Sequence, residues 1–101
     1  DPTLAAQRLA PLTIHTTVAD YQKRPRYKYQ PTLVNYEAQT PFIQAVPMGE
    51  GFIDYKSFFQ TLKTYGFTGS ICYEMCSPLR DGSDMPTLDR YARRFLEYMG
   101  R

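Results

Sequence analysis

Glu74 is the residue of this sequence best suited to acid–base chemistry. It stands near the C-terminal end of Ser70-Ile71-Cys72-Tyr73-Glu74-Met75, a run that is otherwise apolar or small. A carboxylate inside a strand is expensive unless it is paired, hydrogen-bonded or bound to a metal. The segment leading to it is a glycine loop (Pro47-Met48-Gly49-Glu50-Gly51-Phe52-Ile53-Asp54), a helical pattern and a turn with Gly66 and Gly69. For Glu50 the flanking glycines point to loop shape rather than to the acid. Cys72 and Cys76 are the only cysteines. On one extended strand they would lie ~13 Å apart, too far for a disulfide. They read as buried structural thiols in a reducing compartment.

The elements that must position Glu74 follow from periodicity. Residues 3–10 have helical character, and Pro11 stops them. Leu12–Ala19 reads as a strand with Leu12, Ile14 and Val18 on one face and Thr13, His15 and Thr17 on the other. Residues 20–47 are expected to be a long irregular loop broken by Pro25, Pro31, Pro41 and Pro47, with a short extended piece near 32–35 or 42–46. Asp54 is an N-cap for a helix carrying Tyr55, Phe58, Phe59, Leu62 and Tyr65, and Gly66 closes it. Strand Ser70–Met75 follows, with Ile71, Tyr73 and Met75 on one face and Ser70, Cys72 and Glu74 on the other. After a polar loop, Leu88, Tyr91, Ala92, Phe95 and Met99 form a last amphipathic helix. Strands alternating with helices mean βα units and a parallel sheet. Two such units leave sheet edges open and too small a core. The expectation is therefore a single partial domain over residues 1–101, a piece of something larger or a chain that needs partners.

Composition excludes several classes. The apolar fraction of 43% and charged fraction of 22% are those of a folded globular chain. No run is long enough to cross a bilayer, and there is no signal-peptide pattern. A net charge of +2 is too small to imply nucleic acid. Lys23, Arg24, Arg26 and Lys28, interleaved with Tyr21, Tyr27 and Tyr29, form a local basic cluster. Such a pattern can bind phosphates and stack on bases, or hold a sugar phosphate or acidic substrate. The reading taken is a solvated loop whose tyrosines pack on the body.

Four stretches together resemble the end of the xylose isomerase-like TIM barrel superfamily, the sugar phosphate isomerases and epimerases. They are Ile14–Asp20, Val46–Tyr55, Leu62 with Gly66–Gly69, and Tyr73-Glu74; the closing Leu88–Leu96 is similar as well. The block from Gly49-Glu50-Gly51 to Glu74 carries most of the resemblance. It implies an α/β fold, the C-terminal part of a (β/α)8 barrel with Leu12–Ala19 as strand 7 and Ser70–Met75 as strand 8, incomplete as a lone chain. It implies that Glu74 binds a divalent metal (Mn, Mg, Zn or Co) and is one of two acid/base carboxylates. Such enzymes remove a proton alpha to a carbonyl through a metal-stabilised enediolate. The partner glutamate and one further ligand come from earlier strands.

The seventh strand departs from the family pattern. Thr17 stands where a metal-binding histidine or glutamine is usual, and there it would face substrate. His15, two residues earlier, is the alternative metal ligand, or a hydrogen-bonded histidine of the inner face. Asp20 is expected to support the site from behind the ligands, or to cap a loop. Arg24 has the spacing of a substrate-contacting arginine. The resemblance implies a cytoplasmic enzyme acting on a carbohydrate or sugar phosphate, without nucleic acid or membrane, with homo-oligomerisation open and the isolated chain inactive. The rival readings are a barrel that has lost its metal and binds a carbohydrate or a protein, and, lower, an endonuclease IV-type nuclease.

Overall fold

The computed structural model describes residues 1–33, 35–75 and 78–100. It is an α/β chain with two small sheets. Helix α1 (Pro2–Leu9) is capped by the Asp1 side chain and runs into a 3-10 turn at Ala10–Leu12. Strand β1 (His15–Val18) pairs in parallel with β4 (Ser70–Tyr73), placing His15 opposite Ser70 and Val18 opposite Tyr73. Between them lie β2 (Asp20–Gln30), β3 (Asn35–Val46) and helix α2 (Tyr55–Thr64); helix α3 (Met85–Met99) closes the chain.

Local chemistry accounts for the helices. Asp54 accepts from Ser57 N and Asp84 from Thr87 N, each satisfying a free N–H of the first turn. Those bonds hold the Asp54 and Asp84 carboxyls below their ordinary range. Gly66, at φ +94°, ends α2 in the left-handed region as expected. Ala6, Ala10 and Leu62 join α1 to α2 in one small core, where the alanines allow close approach. The main core holds Val18, Met48, Tyr55 and Phe95, with Ile71 and Tyr73 against it. Tyr73 stacks on Phe95 at 4.8 Å between ring centroids. The helices therefore cover the Ile71/Tyr73 face of the parallel pair.

The expected strands are shorter than the sequence pattern. Leu12 lies in the 3-10 turn, and Leu12 and Ile14 are 80% and 84% exposed, so of the three residues expected on the apolar face only Val18 reaches the core. β4 ends at Tyr73, one residue before Glu74.

The largest correction concerns residues 20–47. They form a long antiparallel hairpin, not an irregular loop, with Asp20 opposite Val46 and Gln30 opposite Asn35. Both strands are edges, so a proline without an N–H is tolerated in each. Pro25 and Pro41 also sit where the register shifts, between Arg24↔Phe42 and Arg26↔Gln39. There an extra residue interrupts the ladder and the lost donors matter least. The arm's base is bonded on both edges: Phe52 N donates to Tyr21 O, and Ala45 exchanges backbone bonds with Pro78 and Arg80. Its tyrosines do not pack on the body beyond Tyr21; Tyr27, Tyr29 and Tyr36 are exposed. The projecting arm explains a radius of gyration of 17.3 Å, against about 13 Å for a compact chain of this length.

Candidate functional site

The helix-free face of the parallel pair carries the polar residues. His15 and Thr17 come from β1, Ser70 and Cys72 from β4, and Glu74 follows β4 directly. Alternation puts them there, because Val18, Ile71 and Tyr73 are taken by the core. The Glu74 N–H donates to Val18 O at 3.0 Å, so its backbone continues the parallel ladder although the strand has ended. Its side chain is exposed, contrary to the expectation of an acid inside a strand. An open depression of about 550 Å³ lies at this carboxyl end, lined by Thr17, Cys72, Tyr73, Glu74, Met75 and Leu88. A smaller hollow between α1 and α2 holds no carboxylate, histidine or thiol among its lining residues.

His15 is engaged elsewhere. Its Nδ1 lies 2.8 Å from Ser70 Oγ, and its Nε2 lies 3.4 Å from Thr17 Oγ1. Ser70 precedes Glu74 by four residues on the same chain stretch, an offset of about 13 Å. Two ligands of one ion must each come within about 2.0–2.2 Å of it, so His15 and Glu74 do not share a metal in this arrangement. Among the described residues no three His, Cys, Asp or Glu side chains converge as a metal site. The residues present do not fit the metal that the resemblance implies.

The structure also separates Arg24 from the depression. Arg24 pairs with Phe42 on the exposed arm, four residues beyond Asp20 and thus about 14 Å along it. It does not share a pocket with Glu74. Cys72 is a free, exposed thiol, not a buried one; Cys76 lies outside the described residues.

The costly carboxylate of this chain is Asp20. It is 0% exposed and accepts three backbone N–H bonds, from its neighbour Tyr21 (3.0 Å), Gly49 (2.9 Å) and Gly51 (3.0 Å). Such bonds replace the water that burial removes. Gly51 has no room for a side chain: a Cβ there would overlap the Asp20 carboxylate and the Tyr21 carbonyl. Gly49 holds φ +94°. The glycines that mark this loop in the sequence are therefore the donors and the clearance for a buried acid. Of the two roles expected for Asp20, the geometry supplies the loop-binding one.

Three further groups have no counterpart among the expected site residues. The Tyr55 hydroxyl donates to Ala19 O at 2.6 Å and accepts from Ala19 N at 3.2 Å, tying α2 to the joint between β1 and the arm. Burial pushes that hydroxyl above its ordinary pKa. Glu50 pairs with Arg80 (3.0 Å) and Arg94 (2.9 Å), so its side chain does have a role, fastening the glycine loop to the β4–α3 connection and to α3 itself. Tyr91, fully buried, donates to Asp81 at 2.7 Å. The flanking glycines at Gly49 and Gly51 were the one sequence signal for this joint.

Comparison with protein-family models, with curated proteins and with solved structures finds no match for this chain. Among the described residues, no helix is long and apolar enough to cross a membrane.

Proposed function

We propose that this chain supplies the last two βα units of a xylose isomerase-like barrel acting on a sugar or sugar phosphate, with Glu74 as a proton-transferring carboxylate. The observation behind the reading is the place of Glu74: at the carboxyl end of a parallel strand, on the helix-free face, beside an open depression. Barrel enzymes gather their chemistry at that rim. The open edges of the β1–β4 pair leave room for further strands on either side.

In the proposed reaction Glu74 takes a proton from the carbon next to the substrate carbonyl. The C–H bonding pair becomes part of an enediolate; the protonated Glu74 then gives the proton to the neighbouring carbon, or a second carboxyl group, protonated beforehand, gives its own to the opposite face of the same carbon. Within this chain the proton transfer falls to the Glu74 carboxylate, and His15 and Glu74 do not meet at one ion. The 101-residue chain by itself should show no turnover of any aldose or ketose, since the second carboxylate lies elsewhere. In the barrel that contains this segment, Glu74→Gln should cut solvent-deuterium exchange at the alpha carbon by about 100-fold or more. Exchange at the parent rate in that variant, or turnover by the isolated chain, overturns the assignment.

One observation favours a second reading, a barrel that binds a carbohydrate or a protein without catalysis. His15 is committed to Ser70 and Thr17 instead of facing an ion. Sugar binding without alpha-carbon exchange would select it. A nuclease of the endonuclease IV type ranks below both, because it needs more histidines than the single one here. The free thiol of Cys72 suits a reducing cytoplasm.

A further inference from the structure

We propose that the β2–β3 arm is a DNA-binding ribbon whose basic face lies in the major groove of a B-form duplex. The whole-chain charge of +2, which spoke against nucleic acid, averages over two unlike parts. Residues 21–46 hold Lys23, Arg24, Arg26 and Lys28 against one acid, Glu37, a net +3; the rest of the chain sums to −1. On the body, Arg80 and Arg94 pair with Glu50, and Arg93 pairs with Asp89. On the arm, Arg24, Arg26 and Lys28 are exposed and pair with no acid among the described residues. Glu37 stands opposite Lys28, but it accepts from Gln30 at 2.6 Å. The arm therefore carries a positive charge that nothing within the chain neutralises.

Strand alternation sorts that charge. Arg24, Arg26 and Lys28 fall at every second position of β2 and form one row at intervals of about 7 Å. A regular row of cations complements an anion that itself repeats, as a phosphate backbone does. The placement of the tyrosines then selects the nucleic acid. A single-strand binder needs its cations and its stacking rings on one surface. Here Tyr27 and Tyr29 alternate to the opposite face, so bases stacked on them would lead the backbone away from the cations. The major groove of duplex RNA is too narrow for side chains to read. That of B-form DNA is about 12 Å wide and admits a two-stranded ribbon. The arm is such a ribbon, paired from Asp20↔Val46 to Gln30↔Asn35, and it reaches roughly 33 Å. Its base is bonded to the body on both edges, so it projects in a defined direction. The arm's cations do not share the Glu74 depression, so DNA binding and proton transfer stand or fall separately.

The test is fluorescence anisotropy of a labelled mixed-sequence DNA duplex of about 20 base pairs, titrated with the 101-residue chain between about 50 and 150 mM salt. Circular dichroism checks the fold of every variant. The expected Kd is about 1–100 µM at the lowest salt. With three phosphates neutralised, the logarithm of affinity should fall against the logarithm of salt with a slope of about −2.7, or about 20-fold across the range. That slope needs no variant. Arg24→Gln with Arg26→Gln should weaken binding at least about tenfold at the lowest salt and bring the slope to about −0.9. Lys56→Gln with Lys63→Gln, exposed on α2, removes the same charge from the body and should change Kd less than about threefold. Absence of binding at the lowest salt overturns the proposal, as does a slope near zero. An equal loss in the Lys56/Lys63 variant overturns it by assigning the attraction to net charge. Tighter binding of single-stranded DNA, lost on Tyr27→Ser with Tyr36→Ser, would overturn it in favour of the tyrosine face. Equal binding of duplex RNA, polyglutamate or phosphatidylserine vesicles through Arg24 and Arg26 would show that the face takes any polyanion and does not read the groove.

Discussion

Two carboxylates leave the same end of the parallel strand pair and meet opposite fates. Asp20 follows β1 by two residues and is wholly buried beneath the Gly49–Gly51 loop. Glu74 follows β4 by one residue and faces solvent at the open depression. The difference is the supply of donors. Around Asp20 the chain folds back to present three backbone N–H groups, and the acid becomes part of the frame. Beside Glu74 no such donors are bonded to the carboxylate among the described residues, so it stays hydrated and accessible. A buried acid with its partners in place is a structural member; an exposed acid at a strand end is held by no such bonds.

The strongest way to break this contrast is at Asp20. Asp20→Ala should lower stability by about 3–5 kcal/mol, since bonds to a charged group contribute roughly 1.5–3 kcal/mol each and buried N–H groups lose their acceptor. Urea unfolding at constant slope measures it. Asp20→Asn, which keeps the shape and one acceptor oxygen, should lose less. A loss under about 1 kcal/mol for the alanine variant would show that water replaces the carboxylate, and the frame would not depend on it.

What the sequence revealed and what it hid divide along the same line. The caps at Asp54 and Gly66 and the parallel pair were legible because each depends on near neighbours or simple alternation. Asp20 was legible only as a supporting or loop-capping acid; its burial and its partners were not, because two of its donors lie 29 and 31 residues away and are backbone groups that carry no signature. Only the glycines flanking Glu50 hinted at them. The arm was hidden by its prolines, which in a central strand would argue against pairing but on two edges do not. Glu74 looked buried because its neighbours Ile71 and Tyr73 are apolar; they face the helices while the acid points the other way.

A smaller effect sharpens the picture of the joint. Tyr55→Phe removes the hydroxyl that serves both backbone groups of Ala19, the residue where the chain turns from β1 into the arm. Stability should fall by about 2 kcal/mol. The loss should be non-additive with Asp20→Ala, because both side chains hold the same turn. Strict additivity would mean that the two anchor separate pieces, and the joint would not be one unit.

Smaller again is the Tyr91–Asp81 bond, which gives a pH signature. The Tyr91 hydroxyl, with help from Arg80, holds the Asp81 carboxyl below its ordinary 3.8. A depressed folded pKa gives stability that is full above that value and is lost as pH falls below it. Burial, then Asp81, pushes Tyr91 up to about 12 from 10.0. A raised folded pKa gives stability that is full below 10.0 and is lost as pH climbs toward 12. Tyr91→Phe should therefore lower Tm by on the order of 5 °C near neutrality. The gap from the parent should narrow both below pH 3.8 and above pH 10.0. A gap independent of pH would mean that lost packing, not this bond, sets the effect.

The smallest expected change is at Glu74, and it decides the comparison. Glu74→Gln should move stability by no more than about 0.5 kcal/mol, as for an exposed side chain outside any network. His15→Ala should cost little more, since its bonds to Ser70 and Thr17 are exposed. Measured beside Asp20→Ala in the same urea series, the two acids are compared under one set of conditions. If Glu74→Gln cost as much as Tyr55→Phe, the exposed acid would also belong to the frame, and its availability for proton transfer would lose its physical basis. A near-silent substitution leaves Glu74 as a carboxylate kept at the strand end without a folding reason, which is the condition a catalytic or ligand-binding acid must meet.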